Sequence, residues 1–185
     1  MADTAEPAKL YSMEILENIE QWEKQFRENW LAHYQATGQT DWSRYNHPRN
    51  GQVPGAPGVK LAESRLMFIS SAGGYIADVQ EPFDAPNLLG DYTVRTFPSD
   101  IDLARLAFEH DHYDHTMIDE DPEVSLPLPL LARMVEEGRI GRLTPSVVSI
   151  SGYQPNSAEV VREVVPQVVA IAKEEAAEAA LLAPM

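Results

Sequence analysis

Short apolar runs of strand composition alternate with helical patterns through the last two-thirds of the chain. That alternation constrains the fold more than any other feature. Arg65–Ser70 (RLMFIS), Tyr92–Phe97 (YTVRTF), Thr144–Ser151 (TPSVVSIS) and Ala179–Ala183 (AALLA) read as strands. Leu126–Glu137 reads as a helix, with Pro127 and Pro129 near its start and Gly138 as its C-terminal stop. Ser157–Ala177 reads as another helix, capped by Ser157 and turning Val160, Val161, Val164, Val168 and Ile171 inward. Ile101–His110 is ambiguous, and its second half leans to strand. Residues 77–91, rich in Asp, Pro and Asn, read as surface loop. Strands alternating with helices predict an α/β fold: a mostly parallel sheet flanked by helices, Rossmann-like in plan.

The first third follows another rule. Ile15, Ile19, Trp22, Phe26, Trp30 and Tyr34 recur at helical spacing, which predicts an amphipathic helix from about Leu10 to Tyr34. The aromatic stripe has two readings, packing on its own domain or docking onto a partner subunit. Residues 37–60 hold three prolines and four glycines and read as an extended connector. His47 and Arg49 within it read as ordinary loop residues. The expected organisation is a helix and connector over 1–60 and an α/β domain over 61–185.

Charge and composition narrow the partners. Lys and Arg total 14 against 29 Asp and Glu, a net charge of −15. A chain so acidic is a poor match for a nucleic-acid backbone or an anionic membrane, so neither is expected as a partner. There is no cysteine, which removes disulfides, thiolate metal ligands, iron–sulfur clusters and cysteine nucleophiles from this chain. No apolar run approaches 18 residues, so no transmembrane helix is expected. The opening MADTAEPAKLY is acidic and lacks an apolar signal core, which predicts a cytoplasmic location.

One segment concentrates chemistry. His110, His112 and His115 are three of the five histidines, and Asp111, Asp114, Asp119, Glu120 and Asp121 surround them. Clustered imidazoles suit zinc, iron, nickel or manganese, and carboxylates widen the choice. His110, His112, Asp114 and His115 are therefore candidate ligands of a divalent transition metal. The same side chains also suit a metal-free site that binds substrate or moves protons, or a hydrogen-bonded turn. The spacing H-x-H-x-D-H also matches the metallo-β-lactamase superfamily. That match is set aside, because no histidine follows His115 and the N-terminal half carries a long helix in place of strands. Upstream, the turn Ser71–Gly74 after a strand lets a ligand approach the backbone closely. Ser70, Ser71, Gly73 and Gly74 are candidates to hold a small polar substrate. The turn is not G-x-G-x-x-G, so no nucleotide cofactor is expected.

A longer pattern contains this segment. It runs from HDHYDH at 110–115 through Met134–Gly138 (MVEEG) and Ile140–Pro145 (IGRLTP) to Gly152–Pro155 (GYQP). Ile69–Gly74 (ISSAGG) and Pro98–Asp100 (PSD) extend it upstream. Over roughly residues 65–185 the chain resembles the selenoprotein B family of glycine, sarcosine and betaine reductases, with the related D-proline reductase subunit. The resemblance implies a small amino-acid-like or amine substrate, reductive cleavage of its C–N bond, and a second protein subunit. It implies a catalytic role for His110, His112, Tyr113, Asp114 and His115, and a substrate-binding role for Tyr153. In the family the last strand, of the type L-L-x-P, runs into a selenocysteine or cysteine. Here Leu181–Leu182–Ala183–Pro184 is followed by Met185. This branch has dropped thiol chemistry, or a UGA codon has been read as stop, or a second chain completes the site. The expected function is therefore a subunit of a hetero-oligomeric enzyme. A metal-dependent hydrolase or lyase and a non-catalytic binding or regulatory module are the alternatives.

Overall fold

The structure is a computed structural model that describes residues 15–52, 58–111, 114 and 116–185. It divides into two compact units, Met1–Gly58 and Val59–Met185.

In the first unit, helix α1 spans 19–37. It is α-helical over Ile19–Phe26, widens to a π turn over Arg27–Leu31, and is α-helical again over Ala32–Thr37. The helix begins at Ile19, later than the periodicity predicts, because Asn18 is left-handed (φ 55). The preceding turn is tied to a distant segment. Asn50 Oδ1 accepts from Glu17 N at 2.9 Å, and Asn50 Nδ2 donates to Ile15 O at 2.9 Å. The Glu17 carboxylate accepts from Gly51 N and Gln52 N, both at 2.9 Å. These two backbone donors hold its pKa below the usual value. Residues 10–14 of the expected helix lie outside the described residues.

The aromatic stripe packs on the chain's own connector. Trp22, Phe26, Trp30 and Tyr34 stack in series, with ring centroids 5.3, 5.3 and 5.9 Å apart. Tyr45 meets Trp22, Phe26 and Trp30 edge-on, and Trp42 covers Trp30 at 5.4 Å. Trp22 Nε1 donates to Asn46 O at 2.8 Å. Stacked and edge-to-face rings add about 0.5–1.5 kcal/mol per pair beyond their burial. His47 joins the same cluster, edge-on to Tyr45 at 5.2 Å.

The second unit contains β1 (Arg65–Ser70), β2 (Gly74–Ile76), β3 (Val94–Pro98), β4 (Leu106–Phe108), α2 (Thr116–Glu120), α3 (Leu128–Glu136), β5 (Arg142–Leu143), β6 (Ser146–Ile150), α4 over 157–174, and β7 (Ala179–Ala183). Strand β1 is central. Along one side it pairs in parallel with β7, from Leu66↔Ala179 to Ser70↔Ala183. Along the other it pairs in parallel first with β5 and then with β6. Strand β3 is antiparallel to β6, and β2 and β4 form a separate antiparallel ribbon. This is an α/β fold with a mostly parallel sheet. Leu66, Phe68, Phe97 and Val147 of the sheet pack with Leu126, Leu128, Leu131 and Ile140 from α3 and its flanks. Each such side chain contributes about 1.5–3 kcal/mol on burial.

Three local expectations change. The N-cap of α4 is Asn156, not Ser157, because Ser157 is already helical and Asn156 (φ −90, ψ 88) is not. Of the residues expected on its inner face only Val164 is fully buried, together with Ala158. The π turn Val160–Val164 ends two residues before Pro166, whose missing N–H breaks the regular ladder. Third, the 77–91 stretch is not all surface, since Phe83 and Ala85 are buried. Gly138 does end α3. It is left-handed (φ 71), and Arg139 N and Ile140 N both donate to Met134 O. Among the described residues no helix is long and apolar enough to cross a membrane.

Candidate functional site

Because β1, β6 and β7 are parallel, their carboxyl ends share one edge of the sheet. Open α/β sheets bind ligands there. Four separate stretches of chain meet at that edge, and Gly152 marks their meeting point. A Cβ at Gly152 would stand 2.7 Å from His110 Nε2, 2.9 Å from Ser71 O and 3.0 Å from Met185 O. Only a residue without a side chain fits between them. His110 is 4% exposed. Ser71 N donates to Ala183 O at 3.2 Å, and Ser71 Oγ accepts from Met185 N at 2.9 Å. The turn after β1 is thus stitched to the end of β7.

The turn also places His110. Gly73 is left-handed (φ 70), and its missing Cβ position lies 2.3 Å from Glu109 O. Its N–H donates to Ile150 O at 3.1 Å, and its carbonyl accepts from Glu109 N at 3.0 Å. One glycine therefore clamps the end of β6 to the residue before His110. The open side of Gly74 faces the Phe108 ring at 3.1 Å. In this arrangement the space left by both glycines is filled by the 108–109 strand.

Beneath the edge lies a pair of buried hydroxyls. Ser70 and Ser149 are register partners in β1 and β6, so their side chains share a face of the sheet. Their exposures are 1% and 0%. Ser70 Oγ accepts from Ala72 N at 3.3 Å and reaches toward Ser125 O at 3.5 Å. The Ser149 hydroxyl has no hydrogen-bond partner among the described residues. Ser151 Oγ accepts from Tyr153 N at 3.4 Å. Ser149 and Ser151 are absent from the sequence-based candidates. The available signal is polar residues closing an otherwise apolar buried strand, where a hydroxyl costs stability unless it is used.

The other candidates stand elsewhere. The Tyr153 hydroxyl donates to Leu88 O at 3.0 Å. With Gln154 Nε2 on Asp91 O and Asn156 N on the Tyr92 hydroxyl, it ties the 84–93 loop to the chain after β6. Asp91 organises that loop. Burial raises its pKa, but the Thr93 hydroxyl, the Asp84 and Thr93 N–H groups and Arg95 outweigh this, and the net value is lowered. Asp114 is exposed, and its carboxylate accepts from Thr116 N at 2.9 Å and Thr116 Oγ1 at 2.7 Å, holding the start of α2. His112, Tyr113 and His115 lie outside the described residues. Among the described residues no group of three His, Cys, Asp or Glu side chains is placed to hold a metal ion.

No known family model, curated protein or solved structure matches the chain.

The edge itself therefore defines the chemistry at hand. His110 is a buried imidazole able to hold or transfer a proton. Ser71 brings a hydroxyl that accepts from Met185 N and keeps its own proton to donate to a polar group. With no cysteine in the chain, these side chains carry protons and hydrogen bonds but no thiol.

Proposed function

We propose that this chain is one subunit of a hetero-oligomeric enzyme acting on a small amino-acid-like or amine substrate. In this reading it is a Rossmann-like relative of the glycine, betaine and D-proline reductase B subunits. The observation that carries the proposal is the convergence of His110, Ser71 and the end of β7 around Gly152. That meeting point lies at the carboxyl edge, where such sheets bind ligands.

The position of β7 supports a second polypeptide. Among the described residues it pairs only with β1, and its Leu181 and Leu182 are 42% and 56% exposed. An open, apolar edge strand is a site that natural proteins keep covered. A chain seated there lies beside the same edge as His110 and Ser71. A thiol or selenol of the second polypeptide then bonds to the substrate carbon as the C–N bond breaks, His110 gives a proton to the departing amine nitrogen, and Ser71 orients the substrate.

The test is recovery of the natively expressed protein under mild conditions, followed by turnover of the recovered complex. The expected result is a stoichiometric second polypeptide and amine release from a small amino acid or N-methylated amine. In that complex His110→Ala lowers kcat by about 10²–10⁴-fold, the usual contribution of a general acid. Recovery of the chain alone, or full turnover by the His110→Ala complex, would overturn the proposal.

A further inference from the structure

The carboxyl edge shuts His110 in. Its imidazole is 4% exposed, and its Nε2 atom is buried. Gly152 lies against that nitrogen, and Ser71 O and Met185 O flank the same glycine position. A bound ligand therefore meets His110 only when one of the surrounding stretches moves aside. The ties on each stretch show which one is least held.

Three of the four stretches are firmly tied. The turn after β1 is clamped at Gly73, whose N–H donates to Ile150 O and whose carbonyl accepts from Glu109 N. The second of those bonds also holds the 109–110 stretch. The chain after β6 is tied to the 84–93 loop through Tyr153, Gln154 and Asn156. The fourth stretch, 183–185, differs. Ala183 O accepts from Ser71 N at 3.2 Å, the last rung between β1 and β7. Pro184 has no N–H to offer. Beyond that rung, among the described residues, Met185 N fastens the segment by its one bond to Ser71 Oγ at 2.9 Å. Pro184 and Met185 are both exposed. A segment with one hydrogen bond and little burial opens at far lower cost than a buried one. The latch also ends on a residue of the site. Release of Met185 N returns an acceptor position to the Ser71 hydroxyl in the same movement that clears the space beside Gly152.

We propose that Pro184–Met185 is a gate over His110, latched by Ser71. Closed, it keeps the imidazole buried. With the Met185–Ser71 bond broken, a ligand reaches both side chains. The gate rests on the reading above of His110 and Ser71 as the groups that meet the ligand.

The test is carbethoxylation of histidine by diethylpyrocarbonate on the full chain, read residue by residue by fragment mass spectrometry. It measures access to His110 with no substrate present, so the gate and the enzymatic reading can fail separately. His33 and His47, in the first unit, are internal controls. The chain has no cysteine, so Ser71→Cys with Met185→Cys supplies a single thiol pair, closed by oxidation or by a methylene bridge. The expected result is at least tenfold slower modification of His110 in the closed form than in the same protein with free thiols, with His33 and His47 unchanged. Ser71→Ala removes the latch bond and speeds modification of His110 by several-fold, while amide exchange in β1 and β6 stays at the parent rate. Equal rates at His110 in the closed and open forms, or an unchanged rate in Ser71→Ala, overturns the proposal. So does a faster rate in Ser71→Ala matched by equally faster exchange throughout β1 and β6, because His110 is then reached by unfolding of the sheet.

Discussion

The N-terminal unit and the carboxyl edge of the second unit both gather chemically distinctive side chains, and they use them in opposite ways. In the first, Trp22, Phe26, Trp30, Tyr34, Trp42 and Tyr45 stack on one another. Their chemistry is consumed by packing. At the edge, His110, Ser71 and Ser149 are buried where apolar residues would hold a sheet together better. The contrast separates two sources of order. The ring stack comes from a helical period and a short return of the chain. The edge comes from residues near positions 71, 110, 150 and 185, joined only by sheet topology.

Trp30→Ala has the largest expected effect. Trp30 is fully buried and touches Phe26, Tyr34, Trp42 and Tyr45. Truncating a core aromatic costs about 3–5 kcal/mol. All three tryptophans lie in this unit, so the remaining two report its state alone. The expected outcome is red-shifted, more quenchable emission and earlier urea unfolding by tryptophan fluorescence. A loss below about 1 kcal/mol, well under the range for a core aromatic, shows that the ring stack is not what holds the unit.

Gly152→Ala is next in size and probes the other region. The added methyl must displace the His110 ring and the backbone carbonyl of Ser71. Overpacking of this kind costs about 1–3 kcal/mol. Thermal unfolding by far-ultraviolet circular dichroism measures the cost, and the His110 ring resonances report the local shift. Unchanged stability and unchanged His110 resonances would mean that the four stretches do not close around this residue.

These two positions also show what the sequence made legible. The α/β class is legible because parallel strands leave short apolar runs, and the run AALLA coincides with the strand Ala179–Ala183. The start of α1 was not readable. The apolar period continues through Ile15, while the turn that stops the helix is held by Asn50, more than thirty residues away. At the edge, His110 and Ser71 stood out by residue type. Their meeting at Gly152 did not, because no local pattern encodes which strands become neighbours. Tyr153 carries a motif resemblance, yet the partner of its hydroxyl is the Leu88 carbonyl of a distant loop. Ser149 does not stand out, because a serine inside an apolar run reads as an ordinary strand residue until its burial is known.

A pair of smaller substitutions sharpens the account of the edge. Ser71 Oγ accepts the Met185 N–H, so Ser71→Ala leaves that donor without its acceptor and costs about 1 kcal/mol. The Ser149 hydroxyl is buried with no partner among the described residues. Ser149→Ala removes that burden and is expected to be neutral or stabilising by up to about 1 kcal/mol. Urea midpoints compared at equal m-values give both signs. Destabilisation by both alanines to the same extent would indicate that Ser149 has a partner at the edge.

The smallest expected effect concerns Asp91, which ties the 84–93 loop to the chain leaving β6. Its carboxylate accepts from Asp84 N at 2.9 Å and Thr93 N at 2.8 Å, and it also accepts from the Thr93 hydroxyl. The folded-state pKa is lowered. The unfolded value for an aspartate is about 3.9. The charged form is thus favoured by folding, so its contribution is complete above that unfolded value. It fades as pH falls through the lower folded value. Asp91→Asn removes the dependence. The stability difference between the parent and Asp91→Asn should be constant near neutrality and shrink only in acid, below about pH 4. Asp41 in the N-terminal unit is lowered as well, chiefly by the Ser43 hydroxyl, but it stands in solvent where such bonds are screened. Acid should therefore loosen the second unit's loop, read by hydrogen exchange over 84–93, before it changes tryptophan emission from the first unit. The reverse order would place the acid-sensitive contacts among the rings and remove the electrostatic distinction between the two regions.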